Sequence, residues 1–364
     1  MLRGGEQRAA TARRLRLPAG VRHRARRARP QGAPDSRGNE RNHEHHRWQE
    51  HAGGQTKGAM RMTTIAFVGL GHMGAPMAAN LAGAGHRVLG FDLVAELRDA
   101  ARDRGVEIAD SAEQATREAD IVITMLPAGK HVLAVYGSAA APGLLSEAKP
   151  GTLFLDCSTI SVEESRQAAD AVREAGHRAL DAPVSGGVVG AEQATLAFMV
   201  GGEQGDFSEA LPLLEVMGKR IVHCGSSGLG QAAKVCNNMI LGISQIAVAE
   251  AFVLGEQLGL SHEALYDVAA NASGQCWALT TNCPVPGPVP TSPANRDYQP
   301  GFSGALMAKD LGLARHAIET TGMQAALGLH AERIYAAYAE GDGATTDFSG
   351  IINVIREGAE EPGA

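Results

Sequence analysis

The feature that most constrains this chain is a junction that begins at residue 63. Thr63–Val68 (TTIAFV) is a short apolar run rich in β-branched residues, and it stops at Gly69. Gly69-Leu70-Gly71-His72-Met73-Gly74 then opens a stretch in which Met73, Met77, Ala78 and Leu81 recur at helical spacing. A strand, a G-x-G-x-x-G turn and a helix need their glycines for three reasons: a tight turn, close backbone approach to a pyrophosphate, and close helix–strand packing. The start of the helix supplies free N–H groups and the positive end of its dipole to the anion. A second strand, Arg87–Phe91, ends at Asp92, about 20 residues beyond the turn, where a carboxylate can bond ribose hydroxyls and repel a 2′-phosphate. These residues point to NAD rather than NADP, with Gly69, Gly71, Met73 and Gly74 around the dinucleotide. Two readings stand for Asp92: ribose ligand, or N-cap of the next helix.

The pattern continues through the middle of the chain. Strand-like runs recur at 121–126 (IVITML), 152–156 (TLFLD), 179–182, 196–200 (LAFMV) and 220–224, with helical stretches near 94–104, 162–176 and 205–217. Continuous apolar strands alternating with helices predict a mostly parallel sheet covered on both faces. After Gly225 the alternation ends. Residues 230–259 contain no proline and carry apolar side chains around the whole circumference, so they predict one long helix that must be covered by others. Further helices are expected near 262–272, 304–321, 323–339 and 347–357, with the Pro/Gly-rich 284–301 as a long loop. The expected fold is therefore a Rossmann-type, doubly wound α/β domain over 62–225, followed by an all-helical domain over 226–358 for substrate binding and dimerisation.

Charge separates off the first 61 residues. They hold 15 of the 33 basic residues and 5 of the 40 acidic ones, a net of +10, and leave −17 on the remainder. With almost no apolar content after Leu17, this segment cannot bury enough surface to offset ordering, and it reads as a disordered basic extension. Three origins compete: a nucleic-acid arm, a mitochondrial transit peptide that Asp35, Glu40, Glu44 and Glu50 fit poorly, and a start site placed too early. We favour the last, with translation from Met60 or Met62 and a cytoplasmic protein; the second would give a matrix protein. His43-Glu44-His45-His46 misses the H-E-x-x-H spacing, so no metal is expected. Five cysteines without a C-x-x-C pair suit a reducing compartment. No run of about 18 uncharged apolar residues occurs, which argues against a membrane span. No nucleic-acid partner is expected.

Further segments carry chemistry. Asp156-Cys157-Ser158-Thr159 follows the fifth strand, and Met125-Leu126-Pro127 ends the fourth; the carboxyl ends of such strands face the cofactor crevice. Asp181-Ala182-Pro183-Val184-Ser185-Gly186-Gly187 offers a hydroxyl and unhindered backbone N–H groups to a carboxylate. Lys234 and Asn238 lie four apart near the start of the long helix and so share a face. The helix dipole and a nicotinamide cation would lower the pKa of Lys234, making it a base for a hydroxyl proton. A solvated helix lysine stands as the alternative; only five lysines occur from residue 62 onward, which favours the first reading slightly. Lys309-Asp310 could be a surface ion pair, and Pro127 an ordinary strand-ending proline.

Taken together, these motifs resemble the β-hydroxyacid dehydrogenase family across residues 62–358. The stretches that carry the likeness are GLGHMGAPMAANL (69–81), MLPAG (125–129), LDCSTI (155–160), LDAPVSGG (180–187), AAKVCNNM (232–239) and LMAKDLGLA (306–314), with Cys276-Trp277 ahead of Pro284-Val285-Pro286-Gly287. The resemblance implies that Lys234 is catalytic and that Ser185, Gly186, Gly187 and Asn238 bind the substrate. It also implies that Leu126, Pro127, Thr159 and Lys309 meet the cofactor or the closed cleft. Relatives use NAD, oxidise the small 3-hydroxy acid 3-hydroxyisobutyrate to methylmalonate semialdehyde in valine breakdown, and form homodimers or homotetramers through the long helix. Other expectations are a different dehydrogenase of the family, such as a tartronate semialdehyde reductase, or a non-catalytic dinucleotide-binding protein. One departure is Asn282-Cys283, where relatives often carry Tyr-Asn; a loop there that lined the pocket would set the preferred acyl substituent.

Overall fold

The structure, a computed structural model, describes residues 62–137 and 142–360. The basic extension and the readings attached to it lie outside the described residues. Among the described residues nine strands form one sheet: β1 (Thr64–Val68), β2 (Arg87–Phe91), β3 (Glu107–Ile108), β4 (Ile121–Thr124), β5 (Leu153–Asp156), β6 (Arg178–Asp181), β7 (Val184–Ser185), β8 (Leu196–Gly202) and β9 (Gly218–Gly225). Their order is β3-β2-β1-β4-β5-β6-β8-β7, with β9 also paired to β8. From β3 to β6 every pairing is parallel. β8 runs antiparallel to β6 and β7, while β9 returns parallel to β8. The mostly parallel sheet is thus as expected, with β8 and β9 running opposite to the other strands.

Helices α1 (Gly74–Gly83), α2 (Ala95–Arg102), α3 (Ala112–Glu118), α4 (Gly129–Tyr136), α5 (Leu144–Glu147), α6 (Val162–Glu174), α7 (Gly187–Glu192) and α8 (Gln204–Met217) accompany these strands. Alternation along a strand sends successive side chains to opposite faces. Ile65 and Phe67 of β1 join a core with Met77 and Leu81 of α1 and Leu213 and Leu214 of α8. Ala66 and Val68 join a second core with Ala115 of α3, Val132 of α4 and Ala168 of α6. Both faces being buried explains why the strands read as continuous apolar runs.

The long helix α9 (Leu229–Gln257) runs unbroken for 29 residues. Around it lie α10 (His262–Ala270), α11 (Trp277–Thr280), α12 (Gly304–Thr321), α13 (Ala326–Tyr338) and α14 (Ile351–Glu360). α9 packs against α10 to α14 and also against β8 and β9. Its length and mean hydropathy of 1.5 would suffice to cross a bilayer, yet half of that window is buried inside the protein. Burial by its neighbours accounts for the apolar circumference. A third core, with Phe252, Leu279, Met307, Leu311, Tyr335 and Ile352, ties these helices together.

Candidate active site

At the glycine turn each position has a different constraint. Gly69 has φ +100°, and a Cβ there would sit 2.3 Å from the Met125 carbonyl oxygen. A Cβ on Gly74 would lie 1.9 Å from the Gly69 carbonyl oxygen, so α1 can pack on β1 only with glycine there. Gly71 instead faces open space. Met73 stands at the N-cap of α1 with no side-chain capping bond, leaving the helix start available to an anion. Open space at Gly71 beside an uncapped helix start fits a dinucleotide pyrophosphate.

Asp92 closes this turn from the side. Its Oδ2 accepts from the Leu70 N–H at 2.8 Å and its Oδ1 from the Val94 N–H at 2.9 Å. Val94, not Asp92, is the N-cap of α2, and it makes no side-chain capping bond. The N-cap alternative is therefore corrected: Asp92 braces the cofactor turn against the β2–α2 connection. A carboxylate has about four lone-pair sites, so acceptors are left for ribose hydroxyls.

The ends of β4 and β5 are joined through one carboxylate oxygen. Asp156 Oδ1 accepts from the Thr124 hydroxyl (2.8 Å), the Ser158 hydroxyl (2.6 Å) and the Ser158 N–H (3.1 Å). Ser158 Oγ in turn accepts from the Leu126 N–H at 2.8 Å, fixing the strand end that leads to Pro127. Burial raises the pKa of Asp156 to about 6, against the pull of these hydrogen bonds. The next residue, Thr159, offers its carbonyl to Lys309 Nζ at 2.8 Å. Gln231 of α9 fastens the same loop, donating to the Ser158 carbonyl at 2.7 Å and accepting from the Ile160 N–H at 3.3 Å.

The next loop divides its labour. Asp181, to which sequence reading gave no separate role, takes the Gly228 N–H on Oδ1 at 2.7 Å and the Gln231 N–H on Oδ2 at 3.0 Å. It thereby caps the start of α9 across 47 residues of sequence. Burial pushes its pKa up while those N–H groups pull it down. Ser185 is half-buried at the end of β7, and Gly186 and Gly187 follow with φ of +131° and +62°. A Cβ on Gly187 would come within 2.9 Å of the Gly301 carbonyl oxygen, so this loop abuts the segment leading into α12.

One turn into α9, Lys234 and Asn238 point to the same place. Lys234 is 6% exposed and its Nζ lies 3.9 Å from Asp310 Oδ2. Asn238 Nδ2 donates to the same Asp310 oxygen at 2.5 Å. The alternative of a solvated Lys234 is therefore corrected. So is the surface Lys309–Asp310 pair: on α12 Asp310 turns inward to α9 while Lys309 reaches the Thr159 carbonyl. Burial lowers the Lys234 pKa first, Asp310 opposes that, and Lys309 adds to the lowering. The expected direction holds, with desolvation rather than the helix dipole as its main source.

The structure thus gathers Lys234, Asn238 and Asp310 into one buried group, and links Leu126, Thr159 and Lys309 beside it. Among the described residues no hydrogen bond joins Lys234 to Ser185, Gly186 or Gly187; that loop meets the helical part at Gly301. Asn282 and Cys283 are buried, and Asn282 Nδ2 donates to Asp347 Oδ1 at 3.2 Å, so the departure at these positions lies in the packing of the helical half. A buried amine of lowered basicity can exchange a proton with a substrate hydroxyl.

Two family models match consecutive parts of the chain. The NAD binding domain of 6-phosphogluconate dehydrogenase covers residues 64–225. The NAD-binding domain of NADP-dependent 3-hydroxyisobutyrate dehydrogenase covers 228–355. A probable 3-hydroxyisobutyrate dehydrogenase of Mycobacterium tuberculosis is 56% identical over 299 residues, which is 82% of this chain and 100% of the relative. An NAD-dependent L-serine dehydrogenase of Pseudomonas aeruginosa is 46% identical over 288 residues, covering 79% and 96%. The solved Mycobacterium tuberculosis 3-hydroxyisobutyrate dehydrogenase with L-serine superposes with a TM-score of 0.78 at 57% identity, covering 81% of this chain and 100% of that one. With identity this high running through both the glycine turn and the helix that bears Lys234, the chain belongs to the 3-hydroxyisobutyrate dehydrogenase family of NAD-dependent oxidoreductases.

Proposed function

We propose that the protein oxidises 3-hydroxyisobutyrate to methylmalonate semialdehyde with NAD, a step of valine breakdown. The observation that carries this reading is the buried Lys234–Asn238–Asp310 group, which supplies a proton acceptor. NAD, when bound, supplies the hydride acceptor at C4 of its nicotinamide. Lys234 Nζ takes the hydroxyl proton as the carbinol carbon gives up its hydride, and Asn238 orients the hydroxyl. Ser185 and the backbone N–H groups of Gly186 and Gly187 hold the carboxylate. Gly69, Gly71, Met73 and Gly74 receive the pyrophosphate, Asp92 the ribose, and Leu126, Pro127, Thr159 and Lys309 the nicotinamide side of the cleft. Residues 62–225 then form the NAD-binding domain and 226–358 the substrate and dimerisation domain.

A second reading, L-serine oxidation, is favoured by the L-serine dehydrogenase relative and by the solved relative that holds L-serine. The two acids share a carboxylate and a 3-hydroxyl and differ at C2, where one carries a methyl and the other an ammonium. Initial rates with 3-hydroxyisobutyrate, L-serine and glycerate, each with NAD and NADP, separate the candidates. The highest kcat/KM is expected for 3-hydroxyisobutyrate with NAD; a higher value for either other acid, or for NADP, would displace this reading.

For assembly the reading is a homodimer or homotetramer through α9. Ile240, Leu254 and Leu258 line one exposed side of that helix at 63%, 57% and 76% exposure, an apolar stripe suited to a second copy. Sedimentation equilibrium should give a multiple of the chain mass, and Ile240→Glu should lower it. The five free cysteines accord with a reducing compartment, for which the cytoplasm is our reading.

A further inference from the structure

Asp347 is 1% exposed and gathers five hydrogen-bond donors. Oδ1 accepts from Asn282 Nδ2 (3.2 Å), the Ser349 N–H (3.1 Å) and the Ser349 hydroxyl (2.7 Å). Oδ2 accepts from the Gly301 N–H (3.1 Å) and the Phe302 N–H (3.2 Å). Among the described residues no lysine, arginine or histidine forms an ion pair with it. Burying a carboxylate without a cation is costly, and only a full set of donors offsets the cost. The same charge therefore dictates where those donors sit.

The backbone around Asp347 reinforces this. Its own N–H donates to the Tyr298 carbonyl at 2.8 Å, and the Phe348 N–H donates to the Phe302 carbonyl at 3.0 Å. Gly301 is thus held by its N–H from within the helical part. Its carbonyl oxygen presses on Gly187, at 2.9 Å from where a Cβ would stand. One peptide segment links the buried charge to the loop between β7 and α7.

We infer that Asp347 is a positioning residue for the acid substrate: by anchoring Gly301 and Phe302 it sets the gap between the helical domain and the Ser185–Gly187 loop. It touches neither substrate nor cofactor. The inference rests on the reading of Ser185–Gly187 as the carboxylate loop. Asn282 then belongs to the same device as a donor to Asp347, not as a pocket wall.

Asp347→Asn keeps the shape but can present an acceptor to only one side. With 3-hydroxyisobutyrate as substrate, KM for the acid should rise about tenfold, while kcat and KM for NAD stay within about twofold of the wild type because Lys234 and the glycine turn are untouched. In the double variant N282D/D347N the amide introduced at position 347 can donate to the new carboxylate at position 282 and turn its oxygen to Gly301 and Phe302, while the Ser349 N–H loses its acceptor, so part of the lost affinity should return. Equal changes in both KM values, no change in either, or no recovery in the double variant would overturn the inference. Should D347N fail to fold, Asn282→Ala carries the test, with an expected rise of about threefold in the acid KM alone. Ser185→Ala is measured alongside: an unchanged acid KM there defeats the carboxylate-loop reading, whereas a raised one with D347N silent defeats only the role of Asp347.

Discussion

Lys234 Nζ stands 3.9 Å from Asp310 Oδ2 across the contact between α9 and α12, with both side chains almost wholly buried. The separation is too long for a tight hydrogen-bonded ion pair, and Asn238 already occupies that carboxylate oxygen. The carboxylate therefore steadies the ammonium form without using up its donors. Burial and the neighbouring Lys309 act the other way and win in direction. An amine poised between these influences can give up and recover a proton during turnover.

Removing the amine should abolish chemistry and spare cofactor binding. Lys234→Ala is expected to lower kcat by about 10³-fold or more, while the NAD dissociation constant, read by fluorescence titration, stays near the wild-type value. The proposed pyrophosphate and ribose positions lie on β1, α1 and the end of β2, far in sequence from α9. Unchanged kcat in this variant would remove the general-base role.

Asp310 should govern the pH at which that amine works. It is the influence that raises the Lys234 pKa; without it, burial and Lys309 act unopposed and the pKa falls further. Alcohol oxidation needs the neutral amine, so kcat/KM climbs with pH through the Lys234 titration. In Asp310→Asn that climb should move to lower pH, measured as the profile of kcat/KM for oxidation at saturating NAD. A climb that stays in place or moves to higher pH would contradict the arrangement.

The parts of this site that sequence made legible are those set by local spacing. The i, i+4 relation of Lys234 and Asn238 puts both on one helical face wherever the helix goes. The glycine turn is equally local, since its requirements arise within six residues of chain. Strands buried on both faces announce themselves by unbroken apolar runs such as IVIT, and β1, β2, β4 and β5 follow them closely.

What escaped reading depends on distant partners. Asp310 follows Lys309 directly and looks like half of a surface pair; only the packing of α12 on α9 turns it inward to a partner 76 residues earlier. Asp181 caps a helix that starts 48 residues later, and its reach is possible because Gly201 and Gly230 carry no Cβ to block it. The two-residue strands β3 and β7 are too short to show alternation, and the chain reverses direction between β7 and β8. Helix α3 (AEQATRE) has only alanines and a threonine to bury, which leaves no clear apolar period.

The three glycines of the turn should separate on substitution. At Gly74 a methyl would overlap the Gly69 carbonyl, and at Gly69 it would meet the Met125 carbonyl in a left-handed backbone. Gly74→Ala and Gly69→Ala should each lose about 3 kcal/mol of stability or more. Gly71→Ala adds its methyl to open space, so thermal unfolding should be nearly unchanged. That methyl would stand where the pyrophosphate approaches, and the NAD dissociation constant should rise about tenfold. Loss of stability in Gly71→Ala with intact NAD affinity would reverse the assignment.

Asp156 gives the fold a pH dependence of its own. Its Oδ1 takes three hydrogen bonds, while its Oδ2 is buried without a partner and is the place for a proton. Burial raises its folded-state pKa to about 6 from the ordinary 3.8, and the nearby Asp181 adds to the rise. Because the folded state holds this proton more tightly than the unfolded chain, the contribution is complete below the unfolded pKa and is lost as pH climbs through the folded one. Asparagine has no such proton to lose. The stability of Asp156→Asn relative to wild type should therefore improve by roughly 2 kcal/mol between pH 4 and pH 7, measured as paired urea unfolding at each pH. A difference that stays flat over that interval would mean that Asp156 ionises as an ordinary carboxylate, and Ser158 and Leu126 would then be held by a full charge at every working pH.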